Sequence, residues 1–218
     1  SGPVLDTPRS VTAITKEVLE TTGTTSVRQI ARSTPGISLG FGEGGNSYGD
    51  NLYIRGFKAN NDIYLDGVRD AGISVHETFA TEQVEVVKGP SGTVGGAGTA
   101  GGAVDVVSKK AQNVDFNHVS ATVTSAGTKR LSADVNRVFS DRWQARLNGM
   151  VQDGAVAGRD NVNDDRLGGA LATTYKATEK LTIEADYNYT KLEATPDWGV
   201  PYIGGEGPVT ELGVDRNT

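Results

Sequence analysis

Between residues 116 and 191, hydrophobic and polar residues alternate strictly along the chain. In the stretch RLSADVNRVF, Leu131 and Val135 share one face, and Ser132 and Asp134 share the other. A period of two is that of a β-strand whose faces differ in polarity. The same alternation recurs in HVSATVT, RWQARLNGMVQ and LTIEADYNYTK, and less cleanly in LGGALATTYK. The pattern therefore predicts five antiparallel strands, each with one apolar and one polar face.

Residues 1–112 follow no single period, and they predict short helices mixed with short strands. KEVLETTG is expected to form a helix that ends at Gly23, because glycine readily adopts the left-handed conformation that follows a helix. Ser26 and Gln29 have the spacing of a capping box before a second helix, which the pair Pro35-Gly36 ends. Short strands are predicted in SVTAIT, NLYIRGF, NDIYLDGVRD, QVEVVKG and GAVDVVSKK, with NLYIRGF and NDIYLDGVRD paired through the turn KANN.

The connections between the alternating strands favour an outer-membrane barrel over a soluble sandwich. AGT, SD and ATE are short, whereas DGAVAGRDNVNDDR is long and polar, and barrels have tight turns at one end and longer loops at the other. Phe139, Trp143 and Tyr175 lie near strand ends on apolar faces, as in lipid-interface girdles. The alternative is a soluble antiparallel sandwich, whose strands alternate too. Because five strands leave an open edge, we expect this chain to be the front portion of a longer barrel protein.

The glycine-rich stretch GGAGTAGG contains the spacing G-x-G-x-x-G at Gly96, Gly98 and Gly101, which can mark a dinucleotide-binding turn. That turn needs a helix directly after it, because the pyrophosphate binds at the helix N-terminus. The residues that follow, AVDVVSKK, are β-branched and alternating, and they predict a strand. A nucleotide-dependent oxidoreductase is therefore disfavoured, and we expect the glycines to supply positive-φ turns and close backbone packing.

Amino-acid composition further limits the kinds of binding site and activity that we expect. The chain has no cysteine and two histidines, so neither a thiolate metal site nor a histidine cluster is expected. The net charge of −6 argues against non-specific binding of nucleic acid. No apolar run approaches the roughly 20 residues of a membrane-spanning helix, although a transmembrane strand needs only about 9–11 alternating residues. No nucleophile–base pair is evident, so no catalytic residue is assigned and the protein is not expected to be an enzyme.

Five motifs between residues 10 and 110 resemble, in order, those of the plug domain of a TonB-dependent outer-membrane receptor. They are SVTAITKEVLE, SVRQIARSTPGI, NLYIRGF, IYLDGVRD and EQVEVVKGPSGTVGGAGTAGGAVDVVSKK. Within that family, FGEGGNSYGDNLYIRGF and RDAGISVHETFATEQVEVVKGPSGT are similar to the ferric-catecholate siderophore receptors. The resemblance implies an α+β plug domain over residues 1–112, with a small mixed sheet and short helices. Residues 113–218 are then the first strands, about five, of an antiparallel transmembrane β-barrel that is incomplete in this chain.

For function, the resemblance implies import of a ferric siderophore, expected to be a catecholate, across the bacterial outer membrane. Receptors of this family hold the plug inside a 22-stranded barrel and depend on TonB, with ExbB and ExbD, through a TonB box that this chain lacks. The ferric siderophore is then the transported ligand, with no covalently bound cofactor, no nucleic-acid partner, and a monomer in outer-membrane lipid. Another iron chelate or a cofactor as cargo stays open, as does a secreted β-rich binding module.

A ferric tris-catecholate is anionic, aromatic and bulky, so its site needs cations, hydrogen-bond donors and aromatic surfaces rather than metal ligands. In the plug, residues 42–50 and 69–79 are expected to face outward, and a long loop is expected after the fifth strand. The candidate ligand contacts in these three segments are Asn46, Tyr48, Arg69, His76, Trp198 and Tyr202. Each could instead be a solvated or packing residue, since polar residues are common in loops.

Arg55 and Lys88 occupy the basic positions of the family motifs IRG and V-x-KGP. In the family these residues face glutamates of the barrel wall, so the resemblance implies that they lock the plug in place. The alternative is that each is a solvated surface charge.

Asp160, Asp164 and Asp165 lie in the stretch GRDNVNDDR, which faintly resembles a calcium-binding loop. It lacks the closing glutamate of an EF-hand. We therefore expect a polar extracellular loop here and no metal site.

Overall fold

The computed structural model describes residues 10–40, 49–59, 62–70, 74–90, 99–157, 159–195, 202–203 and 207–208. The chain divides into two compact units, Ser1–Lys109 and Lys110–Thr218. None of the helices in these ranges is long and apolar enough to cross a bilayer.

Within its described residues, the first unit combines two helices with eight short strands. Its elements are β1 (Ser10–Thr15), α1 (Lys16–Thr22), α2 (Val27–Ser33), β2 (Ile37–Leu39), β3 (Leu52–Ile54), β4 (Phe57–Lys58), β5 (Ile63–Leu65), β6 (Val68–Asp70), β7 (Thr81–Lys88) and β8 (Gly102–Ser108). Five strands form a mixed sheet in the order β1-β7-β8-β5-β6, in which β5 and β8 run parallel. Strands β2, β3 and β4 form a second, antiparallel sheet. The α+β class predicted for this part of the chain is confirmed.

Both predicted helices are confirmed, and they end where the sequence indicates. Gly23 follows α1 with φ +63°, and its N–H donates to the carbonyl of Glu20 at 3.2 Å. Ser26 caps α2 by accepting a hydrogen bond from the backbone N–H of Gln29 at 3.4 Å. The return half of the capping box differs from the usual form, because Oε1 of Gln29 accepts from the N–H of Thr25, at 2.6 Å, one residue before the cap.

The core of the first unit takes buried side chains from both helices and both sheets. Its members are Leu19, Val27, Ile30, Ala31, Leu52, Ile54, Ala59, Ile63, Val84, Val86, Val104 and Val106. In β7 the alternation is direct, since Val84 and Val86 are fully buried while Gln83 and Glu85 are half-buried on the opposite face. Helices of seven residues are too short to be stable alone, so burial against this cluster must hold them.

The pairing predicted between NLYIRGF and NDIYLDGVRD is wrong. β3 pairs with β4 across Arg55-Gly56, and β5 pairs with β6 across Asp66-Gly67, so each motif closes its own hairpin. All four turn residues have positive φ, at 52°, 85°, 50° and 77°, as type I′ hairpin turns require. The local turn chemistry therefore outweighs the longer connection KANN, of which residues 60–61 lie outside the described part of the chain.

The second unit consists of strands alone in the part that is described. They are β9 (Phe116–Val123), β10 (Lys129–Ser140), β11 (Trp143–Asp153), β12 (Ala155–Val156), β13 (Arg159–Thr178), β14 (Leu181–Ala194), β15 (Tyr202–Ile203) and β16 (Gly207–Pro208). The long strands form an antiparallel sheet in the order β9-β10-β11-β13-β14, with β12 beside the start of β13. All five alternating strands that the sequence predicts are present.

In β10 and β11, at the centre of this sheet, exposed apolar side chains alternate with buried or half-buried polar ones. In β11, Leu147 is 58% exposed, whereas Arg146 and Asn148 on either side of it are 1% and 2% exposed. A soluble sandwich would bury the apolar face instead. Exposed apolar side chains that alternate with enclosed polar ones are typical of an outer-membrane barrel strand.

Aromatic residues lie where the barrel interpretation places them, beside the β10–β11 turn. Phe139 and Trp143 stack with ring centroids 4.4 Å apart, and Trp143 lies opposite Tyr175 on β13. The indole N–H of Trp143 donates to Oγ1 of Thr173 at 3.0 Å. The apolar surface of the indole ring thus stays exposed while its N–H is hydrogen-bonded. The interface between lipid and water favours this arrangement.

The prediction of a polar loop at GRDNVNDDR is wrong. Strand β13 begins at Arg159, so Asp164 and Asp165 lie in a strand and pair with Ala194 and Glu193 of β14. The stretch lacks the apolar alternation by which the other strands were identified. The strands still pair here, because strand pairing is made by backbone hydrogen bonds and does not require an apolar face.

Candidate ligand-facing segments and basic positions of the plug

The side chains of two candidate ligand contacts, Arg69 and His76, are described. Asn46, Tyr48 and Trp198 lie outside the described residues, and Tyr202 is described only as backbone in β15.

Both ring nitrogens of His76 contact carboxylates. Nδ1 lies 2.8 Å from Oδ2 of Asp50, and Nε2 lies 2.9 Å from Oδ2 of Asp70. The backbone N–H of His76 also donates to Oδ2 of Asp50, at 2.8 Å. His76 is 8% exposed, and the side chain of Asp50 is fully buried. The histidine therefore joins the end of one segment expected to face outward, at residue 50, to the start of the other, at residue 70.

The charge state of His76 reflects two opposing effects. Burial of the ring lowers its pKa, because a charged imidazole loses hydration. The hydrogen bonds and negative charges of Asp50 and Asp70 raise it by more, so the pKa of His76 lies above its ordinary value. The two carboxylates therefore favour the imidazolium form.

Further hydrogen bonds hold the two segments around this histidine. The N–H of Asp50 donates to the carbonyl of Ser74 at 2.9 Å, and Oγ of Ser74 donates to Oδ2 of Asp70 at 3.0 Å. On the side of α2, the N–H of Val27 donates to the carbonyl of His76 at 3.0 Å, and Nη2 of Arg28 donates to the carbonyl of Gly49 at 2.6 Å. Residues 49–50 and 74–76 are thus fixed to each other and to the same helix.

Arg69 presents a half-exposed cation on β6. Its Nη2 lies 2.9 Å from Oδ1 of Asp62, and its guanidinium carbon lies 5.8 Å from the ring centroid of Tyr64. The hydrogen bond to Tyr64 is the largest effect and raises the pKa of Arg69, while partial burial opposes it. The charges of Tyr64 and Asp62 also raise the pKa, which lies above its ordinary value. The side chain keeps 33% of its surface exposed, so a fixed positive charge remains available to an anionic ligand.

Arg55 and Lys88 converge on two glycines. The N–H of Arg55 donates to the carbonyl of Gly36 at 2.9 Å, and Cδ of Lys88 lies 4.0 Å from the position that a Cβ on Gly36 would take. Nη1 of Arg55 lies 3.5 Å from the corresponding Cβ position on Gly89. Arg55 is exposed and Lys88 half-buried, and no carboxylate in the described ranges pairs with either. The structure thus groups two cations that the sequence separates by 33 positions.

The sequence interpretation missed Asp50 and Asp70 as partners of His76. Asp50 lies 26 residues before the histidine, and no local motif joins two positions that far apart. The one available signal was that both expected outward segments contain a carboxylate near their ends and only one of them contains a histidine. The described residues hold no cluster of three or more histidine, cysteine or acidic residues placed to bind a metal ion.

Comparison with known proteins identifies this architecture. Residues 3–103 match the family described as TonB-dependent Receptor Plug Domain. The chain is 39% identical over 209 residues to the catecholate siderophore receptor Fiu of Escherichia coli (strain K12), covering 95% of this chain and 28% of that protein. It is 37% identical over 202 residues to the probable TonB-dependent siderophore receptor PiuA of Acinetobacter baumannii, covering 92% of this chain and 27% of that protein.

The fold agrees with the sequence match. The crystal structure of the siderophore receptor PiuA superposes with a TM-score of 0.87 at 36% identity, covering 93% of this chain and 29% of that one. The chain thus spans less than a third of the length of these relatives. From the plug match, the sequence identity and the shared fold, the chain belongs to the TonB-dependent receptors and carries their plug domain.

Proposed function

We propose that the intact protein is an outer-membrane receptor that imports a ferric catecholate siderophore in a TonB-dependent manner. One observation carries the proposal: a plug fold is followed by a sheet whose strands β10 and β11 expose apolar side chains and bury charged ones such as Arg146. That combination suits a transporter in lipid and serves no purpose in a soluble binding module. Similarity to a receptor named for catecholate siderophores supports this cargo.

In this proposal, residues 1–112 are the plug and residues 113–218 are the first barrel strands. Arg69 attracts the negative charge of the ferric complex, because it is a half-exposed cation held in a fixed direction by Asp62. Asn46, Tyr48, Trp198 and Tyr202 are further proposed contacts. His76 is proposed to act by placing its neighbours, since both of its ring nitrogens already contact carboxylates.

Arg55 and Lys88 are proposed to lock the plug against acidic residues of the barrel wall. Their grouping around Gly36 and Gly89 supports this role, because one acidic patch could then meet both cations. TonB is proposed as the partner that releases the lock.

The cargo is tested by deleting the gene in an iron-starved host and measuring uptake of iron-55 supplied as ferric catecholates or as ferric hydroxamates. We expect catecholate uptake to fall to background and hydroxamate uptake to remain, with recovery on complementation by the wild-type gene. Recovery should fail when TonB is also absent. Unchanged uptake of every siderophore would contradict the transport proposal, and loss of hydroxamate uptake alone would replace the catecholate by another iron chelate.

A further inference from the structure

The geometry around His76 restricts its protonation state. A neutral imidazole carries one N–H, so its second nitrogen presents a lone pair. At His76 that lone pair would face a carboxylate oxygen at 2.8 or 2.9 Å, where two acceptors repel each other. Both short contacts are satisfied together when both ring nitrogens carry protons.

We propose that His76 is an imidazolium that ties Asp50 to Asp70 and thereby positions the two plug segments that meet the ligand. The tie itself follows from the contacts of three buried or half-buried side chains. Its role toward the ligand rests on the function proposed above. His76 is thus a positioning residue for the site.

The location of the tie explains why it would control position. Asp50 and His76 are 26 residues apart, and residues 49–51 and 74–76 belong to no common strand pair. Asp50 receives two hydrogen bonds from His76, one from the ring and one from the backbone. The ring therefore forms a side-chain link between the first segment and β6, where Arg69 precedes Asp70.

The charged groups around the ring favour the same state. Asp50 faces it from the segment before β3 and Asp70 from β6, while Arg28 of α2 contacts the carbonyl of Gly49 next to Asp50. Arg69 is turned toward Asp62, and Glu77 bridges to Ser26 through the backbone. Two carboxylates thus act directly on the ring, in agreement with its raised pKa. The tie should hold below that pKa and fail as the pH rises through it.

The tie is tested by nuclear magnetic resonance on the intact receptor in detergent, with histidine labelled by carbon-13 at Cε1. The His76 resonance is assigned by its loss in His76→Gln, and His118→Gln serves as the control, because His118 is exposed on β9. We expect His76 to titrate above the ordinary 6.5, and to titrate lower in Asp70→Asn, which removes one carboxylate charge. A pKa of His76 at or below 6.5, or an unchanged pKa in Asp70→Asn, would overturn the proposal. The second proton of the cluster would then belong to a carboxyl group and not to the imidazole.

The positioning role is tested by binding of the iron(III) complex of 2,3-dihydroxybenzoate, followed by tryptophan fluorescence over a pH range that spans the pKa measured for His76. Wild type and His118→Gln should lose about tenfold in affinity as the pH rises through the pKa measured for His76. That loss corresponds to the free energy of one hydrogen bond to a charged group. His76→Gln should bind weakly throughout and lack that step. If His76 is an imidazolium but the affinity shows no such step, the positioning role is wrong. If wild type does not bind the complex at any pH, the catecholate proposal fails while the resonance experiment still decides the tie.

Discussion

Arg146 and Asp134 form a bidentate ion pair inside the polar face of the second unit. Nε of Arg146 lies 2.8 Å from Oδ1 of Asp134, and Nη2 lies 2.8 Å from Oδ2. The side chains are 1% and 4% exposed, and Nη1 of Arg146 also donates to the carbonyl of Lys110 at 3.1 Å. The guanidinium carbon lies 5.2 Å from the ring centroid of Phe116. The arginine is thus held on several sides by strand β9, strand β10 and the residues before them.

Replacing Asp134 by alanine should strongly destabilise the sheet. The change leaves a buried guanidinium without its carboxylate, which costs about 3–5 kcal/mol in comparable cases. The measurement is the free energy of unfolding of the intact receptor in urea. Lys129→Ala is the matched control, since Lys129 pairs with Asp153 at 3.5 Å across the same two strands but both side chains are largely exposed. That control should cost about 0–1 kcal/mol. Equal losses in the two variants would show that the buried pair is not a main support of the sheet.

The glycines at the start of β8 are explained by close packing against neighbouring backbone, without a bound dinucleotide. A Cβ on Gly101 would lie 2.3 Å from the carbonyl oxygen of Ile54, and one on Gly102 would lie 2.1 Å from that of Val87. Gly102 also has φ +138°. The strand that begins there, in place of a helix, removes the anion-binding terminus that a nucleotide needs.

Gly101→Ala should therefore destabilise the plug by about 1–3 kcal/mol, through overpacking against the backbone. Gly102→Ala should cost more, because it adds an unfavourable backbone angle to the clash. Gly67→Ala separates the two effects, since Gly67 has φ +77° and no atom within 4 Å of the added Cβ. Hydrogen exchange of the β7–β8 hairpin in the intact receptor would rank the three. A cost for Gly101→Ala no greater than that for Gly67→Ala would contradict the close approach to Ile54.

Local features of the fold were predictable from the sequence, and long-range ones were not. The alternation around Leu147 identifies its strand, and Gly23 and Ser26 identify helix ends, because each signal lies within a few residues. The parallel pairing of Ile63 with Val104 has no local signal, since the two strands are about 40 residues apart. For the same reason His76 was identifiable as a candidate, whereas Asp50, 26 residues before it, was not identifiable as its partner.

The pH dependence of plug stability should include a contribution from Asp105. Burial raises the pKa of this carboxyl, the Gly67 N–H lowers it, and the charge of Asp66 raises it again, with a net rise above its ordinary value. A folded-state pKa above the unfolded value means that the folded state holds the proton more tightly. The stability it adds is present below the unfolded pKa of about 3.8 and is lost as the pH rises through the folded pKa.

Asp105→Asn should consequently gain in stability relative to wild type as the pH rises from acid to neutral. Asparagine keeps an oxygen that can accept the Gly67 N–H, which Oδ1 of Asp105 accepts at 3.1 Å, but it carries no charge to be desolvated. The melting temperatures of both proteins across this pH range provide the test, with Glu17→Gln as an exposed carboxylate control in the same unit. A difference between Asp105→Asn and wild type that shrinks toward neutral pH would contradict the assigned sign.

The plug lock makes the last prediction. If Arg55 and Lys88 meet acidic groups of the barrel wall away from bulk water, each pair is worth more than an exposed salt bridge, which contributes about 0–1 kcal/mol. The double variant Arg55→Ala/Lys88→Ala should then loosen the plug without changing ligand affinity at the outer segments. Loosening is measured as new ion conductance of the intact receptor in a planar bilayer and as faster hydrogen exchange in the segment VEVVKG.

Lys58→Ala is the matched control for the lock, because Lys58 is an exposed cation on β4, in the same hairpin as Arg55. It should conduct and exchange like wild type. Arg55 also occupies a turn position with φ 52°, so a control for local strain is Arg55→Asn, which removes the charge while retaining a residue that tolerates this angle. Together with Lys88→Ala it should open the plug as alanine does. A double variant that conducts and exchanges like wild type but loses siderophore binding would transfer both residues from the lock to the ligand site.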